Sequence, residues 1–210
     1  MKTKKIYIIR HGQTDYNLQS IVQGKGIDAS LNARGKLQAQ AFYNCYKNEG
    51  FEIIYTSMLK RTTESVASFI NAGLKQVKLA GLDEISWGVY EGVEANYEDK
   101  LFFKDLTEKW ASGETSLAIE EGESPDEVAL RQQEVIEILK NSTETNILIC
   151  MHGRALRIFL TQLLKISITE MDTFAHNNLC LYKLAYNNEG FKLVESNNVD
   201  HLNELSEVKQ

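Results

Sequence analysis

The sequence predicts a three-layer α/β/α fold: a mainly parallel central sheet, an antiparallel edge, and a small helical insertion over the mouth of the sheet. Three observations carry that prediction. Short apolar runs alternate with stretches of helical period, the arrangement that places helices on both faces of a parallel sheet. Two late apolar runs flank Asn187-Asn188-Glu189-Gly190, a hairpin turn signal. Before the last of the parallel runs, residues 86–122 follow neither period.

The strands read as Ile6-Tyr7-Ile8-Ile9, Ile53-Ile54-Tyr55, roughly Val77-Lys78-Leu79, and Ile147-Leu148-Ile149-Cys150. Each is short and rich in β-branched or aromatic residues, as buried strands are. A first helix is expected from Asn32 as N-cap to Gly50 as stop, with Leu37, Ala41 and Cys45 recurring every four residues as its inner face. Val66, Phe69 and Ile70 make a second stripe before Gly73. Ser124-Pro125-Asp126-Glu127 is a capping box with proline at the first helical position, so a helix should run from residue 125 to about 139. Leu156, Phe159, Leu160 and Leu163 mark another helix after Gly153. Residues 179–185 and 191–194 should form the antiparallel edge. The irregular stretch 86–122 mixes charges with Tyr97, Phe102, Phe103 and Trp110, and reads as a mostly helical cap within a single domain spanning 1–210. Aromatic residues at helical spacing are more often local core than substrate contacts.

At 210 residues the chain is long enough for a sizeable core. No stretch approaches the roughly 20 apolar residues of a membrane span. The basic start Met1-Lys2-Thr3-Lys4-Lys5 is followed by too few apolar residues for a secretory signal. Cys45, Cys150 and Cys180 are widely spaced and odd in number, and read as buried thiols of a reducing compartment, so a cytoplasmic protein is expected. A net charge of −6 argues against a nucleic-acid partner, which needs a broad basic face. It leaves room for a small phosphorylated ligand held by a few gathered arginines.

Such arginines stand at predicted strand ends. The first strand ends in Arg10-His11-Gly12. The second ends in Thr56-Ser57, with Arg61 a helical turn further on, and the fourth leads through Met151 to His152-Gly153-Arg154. In a parallel sheet these ends share one rim, where open α/β folds build their sites. Arginine's planar fork suits phosphate oxygens. Glycine after each histidine allows close backbone approach and opens a helix N-terminus towards an anion. A zinc site would need further His, Cys or carboxylate ligands, and arginines beside them would repel the ion, so no metal is expected.

In order along the chain, Arg10-His11-Gly12-Gln13-Thr14 with Asn17, Gln23-Gly24, Asp28, Leu31, Gly35, Ser57 with Arg61, Leu82-x-Glu84 with Gly88 and Glu91-Gly92, Gly122-Glu123-Ser124 with Arg131, and His152-Gly153 resemble the motifs of the histidine phosphatase superfamily. The likeness is to the branch that holds cofactor-dependent phosphoglycerate mutases and their phosphatase relatives. Asn198 with His201-Leu202 has the same family look.

The resemblance implies a metal-independent phosphomonoesterase without cofactor. His11 would be the nucleophile that forms a phosphohistidine. Arg10, Arg61 and His152 would hold the phosphoryl oxygens, with Asn17, Gln23, Gly24 and Gly153 as further phosphate contacts. Glu84 would protonate the leaving oxygen and later activate water, with Asp83, Asp28 and Glu91 as competitors for that role. Arg131 reads as a paired structural arginine, and His201 as structural. Arg154 departs from the small or neutral residue usual after His-Gly, and would either meet a second anionic group or stack outside the pocket. Ser30 stands where many relatives have proline. The runner-up within the enzymes is a phosphoglycerate mutase. Against it stand the short stretch between acid and second histidine and the tail Glu204-Leu205-Ser206-Glu207-Val208-Lys209-Gln210, which is not lysine-rich. Outside the enzymes, a non-catalytic phosphate-binding module is the alternative, though such a module has no need of the acid. The substrate is expected to be a small phosphorylated metabolite, and a homodimer is left open.

Overall fold

Lys4–Arg10 (β1) runs through the middle of the sheet because its residues can be buried on both sides: Ile6 and Ile8 face one core, Tyr7 and Ile9 the other. The computed structural model describes residues 3–206; Met1, Lys2 and the last four residues of the tail compared above lie outside the described residues. After β1 come the short helix Asp15–Leu18 (α1), Ala33–Tyr46 (α2), strand Ile53–Thr56 (β2), helices Lys60–Ser65 (α3) and Ala67–Asn71 (α4), and strand Gln76–Lys78 (β3). The second half contributes Tyr97–Ser112 (α5), Pro125–Asn141 (α6), Asn146–Met151 (β4), Gly153–Leu164 (α7), the hairpin Leu181–Asn187 (β5) and Gly190–Asn198 (β6), and Asn203–Ser206 (α8).

The sheet order is β3-β2-β4-β1-β5-β6. β1, β2, β3 and β4 are mutually parallel, whereas β5 and β6 add an antiparallel edge. On one face Val135 and Leu139 of α6, Leu156, Phe159 and Leu160 of α7, and Trp110 of α5 pack against Ile6, Ile8, Ile147 and Ile149. On the other, Phe42 and Tyr46 of α2 with Val66 and Phe69 cover Tyr7, Ile9, Ile54 and Leu148. The predicted three layers are present.

Register places the site. Arg10 pairs with Met151, so the next residues, His11 and His152, leave neighbouring strands at the same height. Thr56 pairs with Cys150, which sets Ser57 beside that level on the next strand along. β1, β2 and β4 end on one rim, the geometric consequence of parallel pairing.

Several expectations are corrected in detail. The inner face of α2 is Gly35, Gln38, Phe42 and Tyr46, while Leu37 and Cys45 are exposed. Both sets share the four-residue spacing, and the one carrying two aromatic rings buries more apolar surface. Cys45 is therefore not a buried thiol; Cys150 and Cys180 are. β3 lies one residue earlier than expected, and Val66 is the break between α3 and α4 rather than part of one helix. α6 begins at Pro125 behind the Ser124 cap, which accepts from Glu127 N while Glu127 answers the Ser124 backbone. Between residues 86 and 122 the chain forms a turn of 3-10 helix, Gly88–Tyr90, and then α5, capped by Asn96 and ended by left-handed Gly113. Of the four aromatics there, Trp110 is fully buried and Tyr97 exposed. No helix among the described residues is long and apolar enough to cross a membrane.

Candidate active site

His11 follows β1 and is 2% exposed. Its Nδ1 lies 2.7 Å from the Gly12 carbonyl oxygen, an acceptor only, so Nδ1 carries the hydrogen and Nε2 keeps its lone pair. Burial first, then the charges of Arg61 and Arg10, holds the imidazole pKa well below its usual 6.5. Neutral imidazole with a bare Nε2 is a nucleophile.

Arg10 reaches across the rim and donates Nη1–H to the His176 carbonyl at 2.6 Å. Its Nε is buried with no partner among the described residues, a donor left for a ligand. Gln23 donates to Thr14 Oγ1 at 2.6 Å, while its Oε1 is buried and unpartnered. Asn17 sits in the first turn of α1, in a capping box with Thr14, and its Oδ1 also accepts from Asn178 at 3.2 Å.

Arg61 and His152 form the layer behind. Arg61 is fully buried and donates Nε–H to His152 Nδ1 at 3.1 Å, Nη1–H to the Ile27 carbonyl at 2.6 Å and Nη2–H to the Gly24 carbonyl at 3.1 Å. Three of the five N–H groups of a guanidinium are thus occupied, which leaves two to donate. Because Nδ1 of His152 accepts, its Nε2 carries the hydrogen and donates to Ser57 Oγ at 2.8 Å. Burial, followed by the neighbouring Arg61, keeps this imidazole neutral too. Its ring centroid is 5.1 Å from that of His11.

Glu84 enters from the segment after β3. Its Oε1 accepts from Ala155 N at 2.8 Å and Ile85 N at 3.0 Å, and its Oε2 from Arg154 N at 3.2 Å. The carboxyl group therefore sits against the first amides of α7, which His152 caps without a side-chain bond. The three competing carboxylates are engaged elsewhere. Asp83 accepts from Met58 N at 2.8 Å, Asp28 from Lys60 N at 2.6 Å, and Glu91 from Trp87 N at 2.9 Å. Gly24 is glycine because a Cβ there would fall 2.6 Å from the Ile85 carbonyl oxygen. At Gly153 a Cβ would fall 2.5 Å from the His176 ring, so a larger residue there would displace that side chain. Arg131 binds Glu123 and the carbonyls of Gly81 and Glu84, and so holds the Glu84 segment, the structural part expected of it.

A cavity of about 240 Å³ opens over these groups, lined by Arg10, His11, Asn17, Gln23, Glu84, Gly153 and Arg154, with Ile21, Val22, Trp87, Phe103 and His176 completing the wall. Of the residues expected from the sequence, Gly24, Arg61 and His152 are not on that wall but directly behind it. Besides the apolar Ile21, Val22 and Trp87, sequence reading missed the polar wall residue His176. It precedes β5 in an irregular loop, so no strand-end or helical signal marked it. Among the described residues no group of three or more His, Cys, Asp or Glu side chains is arranged to hold a metal. The arrangement can hold an oxyanion against Arg10, present it to His11 Nε2, and exchange a proton through Glu84.

A broad-specificity phosphatase of Saccharomyces cerevisiae is 31% identical over 168 residues, covering 74% of this chain and 68% of the yeast protein. The solved phosphoserine phosphatase of Entamoeba histolytica, in complex with 3-phosphoglyceric acid, is 26% identical with a TM-score of 0.78, over 94% of this chain and 98% of that one. A mycobacterial glucosyl-3-phosphoglycerate phosphatase has the same fold, with a TM-score of 0.82 at 22% identity over 93% of this chain and all of its own. The profile of the histidine phosphatase superfamily (branch 1) matches residues 6–199, nearly everything between the first strand and the last, and the chain belongs to that family.

Proposed function

We propose that this chain hydrolyses a small phosphomonoester through a phosphohistidine on His11. The observation that carries the reading is the bare Nε2 of His11, fixed by the bond from Nδ1 to the Gly12 carbonyl, in the same cavity as the Arg10 guanidinium and the Glu84 carboxyl. In the first step Nε2 attacks phosphorus, the bond from phosphorus to the ester oxygen breaks, and Glu84 gives its proton to that oxygen. In the second, Glu84 takes a proton from water, the water oxygen attacks phosphorus, and the P–N bond breaks. Inorganic phosphate leaves, and both side chains regain their starting states. Splitting one displacement into two is what a covalent nucleophile offers. Arg10, with Arg61 behind it, supplies the fixed positive charge that phosphoryl transfer chiefly asks of a protein. His152 orients Arg61, and Asn17 and Gln23 bound the oxygens.

The size of the cavity supports a small substrate, since about 240 Å³ is less than the roughly 300–1,000 Å³ of pockets that hold drug-sized ligands. The phosphatase name of the yeast relative supports hydrolysis over mutase chemistry. The irregular stretch 86–122 supplies Trp87 and Phe103 to the wall and serves as a cap over the phosphate site. Purified protein assayed against p-nitrophenyl phosphate and a panel of phosphorylated metabolites tests the proposal. Release of phosphate from at least one is expected, and turnover of none would overturn it.

A further inference from the structure

Gln38 interrupts the inner stripe of α2, whose other members are Gly35, Phe42 and Tyr46, and it is only 8% exposed. Burial ordinarily selects an apolar residue at such a place, so a buried amide there marks a hydrogen bond that the fold uses. The bond is to the loop that carries His11. Gln38 Oε1 accepts from the Gln13 backbone N–H at 2.9 Å. Only the oxygen of an amide can face an N–H, so the orientation of this side chain is set. The Gln13 N–H belongs to the same peptide group as the Gly12 carbonyl, which accepts from His11 Nδ1 at 2.7 Å. An unbroken line of hydrogen bonds therefore runs from the α2 amide through one peptide to the imidazole.

The peptide in the middle of that line is held in place. At Gly35, in the first turn of α2, a Cβ would fall 2.1 Å from the Gln13 carbonyl oxygen, and at Gly12 one would fall 2.7 Å from the Gly35 carbonyl oxygen, so helix and loop touch backbone to backbone. The Gln13 carbonyl also accepts from Asn32 N at 3.0 Å. The preceding peptide is fixed as well: Gly12 N–H donates to Ser65 Oγ at 2.9 Å, and the His11 carbonyl accepts from Asn178 at 3.1 Å. A peptide held this way transmits polarisation without moving. A hydrogen bond to its N–H makes its carbonyl a stronger acceptor, because linked hydrogen bonds polarise one another. The stronger acceptor draws the Nδ1 proton and leaves more electron density on Nε2. His11 has need of it, since burial, then Arg61 and Arg10, lower the basicity of this imidazole.

We infer that Gln38 is a positioning residue that raises the nucleophilicity of His11 Nε2 through the Gly12–Gln13 peptide. It does for the imidazole what a carboxylate bonded directly to Nδ1–H does in other nucleophilic sites, with a peptide interposed and no further charge buried. The inference rests on the phosphatase reading in taking Nε2 as the attacking atom, whereas the polarisation of the ring belongs to the resting protein.

Gln38→Met keeps the length of the side chain and removes the acceptor, while Gln38→Glu keeps the acceptor and adds charge. Proton and nitrogen NMR of the resting protein reads the Nδ1 proton of His11, assigned by its loss in His11→Ala. That proton should move upfield of wild type in Gln38→Met and downfield in Gln38→Glu, as weaker and stronger hydrogen bonds do. A loosened loop would move both variants the same way, so the opposed signs separate polarisation from packing. kcat/KM for p-nitrophenyl phosphate, which reports formation of the phosphohistidine, should fall about 3- to 10-fold in Gln38→Met, the worth of one neutral hydrogen bond. It should return to at least the wild-type value in Gln38→Glu. Shifts of one sign in both variants, an unmoved Nδ1 proton, or a wild-type kcat/KM in Gln38→Met would overturn the inference. If Gln38→Met does not fold, Gln38→Glu decides alone: a downfield Nδ1 proton supports the inference, and an unmoved or upfield one overturns it. Failure of wild type to hydrolyse p-nitrophenyl phosphate would instead strike the phosphatase reading, and the NMR signs would still decide the part of Gln38.

Discussion

Arg61 donates its Nε–H to Nδ1 of His152 across 3.1 Å, and this bond sets the tautomer of the second histidine. With Nδ1 accepting, Nε2 must donate, and it does so to Ser57. Replacement of Arg61 by lysine keeps the charge but cannot serve His152, Ile27 and Gly24 at once, since an ammonium lacks the planar fork. Arg61→Lys should lose at least about 2 kcal/mol of stability, with one or two buried acceptors left unpaired. It should also lower kcat by about 100-fold, the scale of an ångström's misplacement at a reacting centre. Urea unfolding and steady-state kinetics decide. Stability within about 0.5 kcal/mol of wild type, as for an ordinary surface change, would remove the fork from the account.

His11→Ala should abolish turnover of p-nitrophenyl phosphate, and acid-labile phosphate should be trapped on His11 of wild type by rapid quench. Turnover should survive EDTA. Turnover by the alanine variant at the wild-type rate would remove the nucleophile, and loss in EDTA with rescue by a divalent ion would restore a metal to the mechanism.

Glu84→Gln keeps one acceptor oxygen for the Ala155 and Ile85 amides, sets an NH2 against the Arg154 amide, and has no acidic proton to give. Alkyl phosphates should slow by about 100- to 10,000-fold, the usual worth of general acid–base catalysis. p-Nitrophenyl phosphate, whose leaving group needs little protonation, should slow far less. Asp83→Asn, altering a carboxylate turned towards Met58, should show no such selectivity. Equal loss on both substrate types in Glu84→Gln, or selectivity in Asp83→Asn, would reassign the acid.

The pKa values of His11, His152, His176 and His201 are all lowered from 6.5, with burial as the first cause. The unfolded chain therefore binds more protons than the folded one below that pH, and stability must fall as pH drops. It is fully present above about 6.5, and the loss has a limiting slope of about 1.4 kcal/mol per pH unit for each such histidine. The denaturation midpoint should fall steadily between about pH 7 and pH 5, within the range where these groups differ between folded and unfolded chain. Proton NMR should show the His11 ring unchanged over the same range. Titration of that ring near 6.5 would contradict its desolvation beside two arginines.

Much of this was legible in the sequence, for reasons visible in particular residues. β1 and β4 are continuous apolar runs, which only a strand covered on both faces requires. Ser124 and Pro125 marked the start of α6 because capping is local chemistry. The inner face of α2 was not legible, since Leu37, Ala41 and Cys45 recur at the same interval as Gln38, Phe42 and Tyr46, and only the partner across the interface chooses between them. His176 was invisible for a similar reason, lying in a loop without period.

By itself the sequence determined the parallel sheet, the antiparallel edge, and the choice of His11, Arg10, Arg61, Glu84 and His152 as the residues of interest. All but Glu84 follow from strand period, cap chemistry and residue type, which act over a few positions; Glu84 follows from the ordered resemblance to the histidine phosphatase motifs. Only the tertiary structure decided which of these side chains face the cavity and which stand behind it. It set Arg61 on two backbone carbonyls, turned Glu84 onto the first amides of α7, and brought Asp172 to Arg154 and His176 to Gly153. These are contacts between segments far apart in the chain, and their geometry is fixed by strand register and helix packing, which no local pattern of residues records.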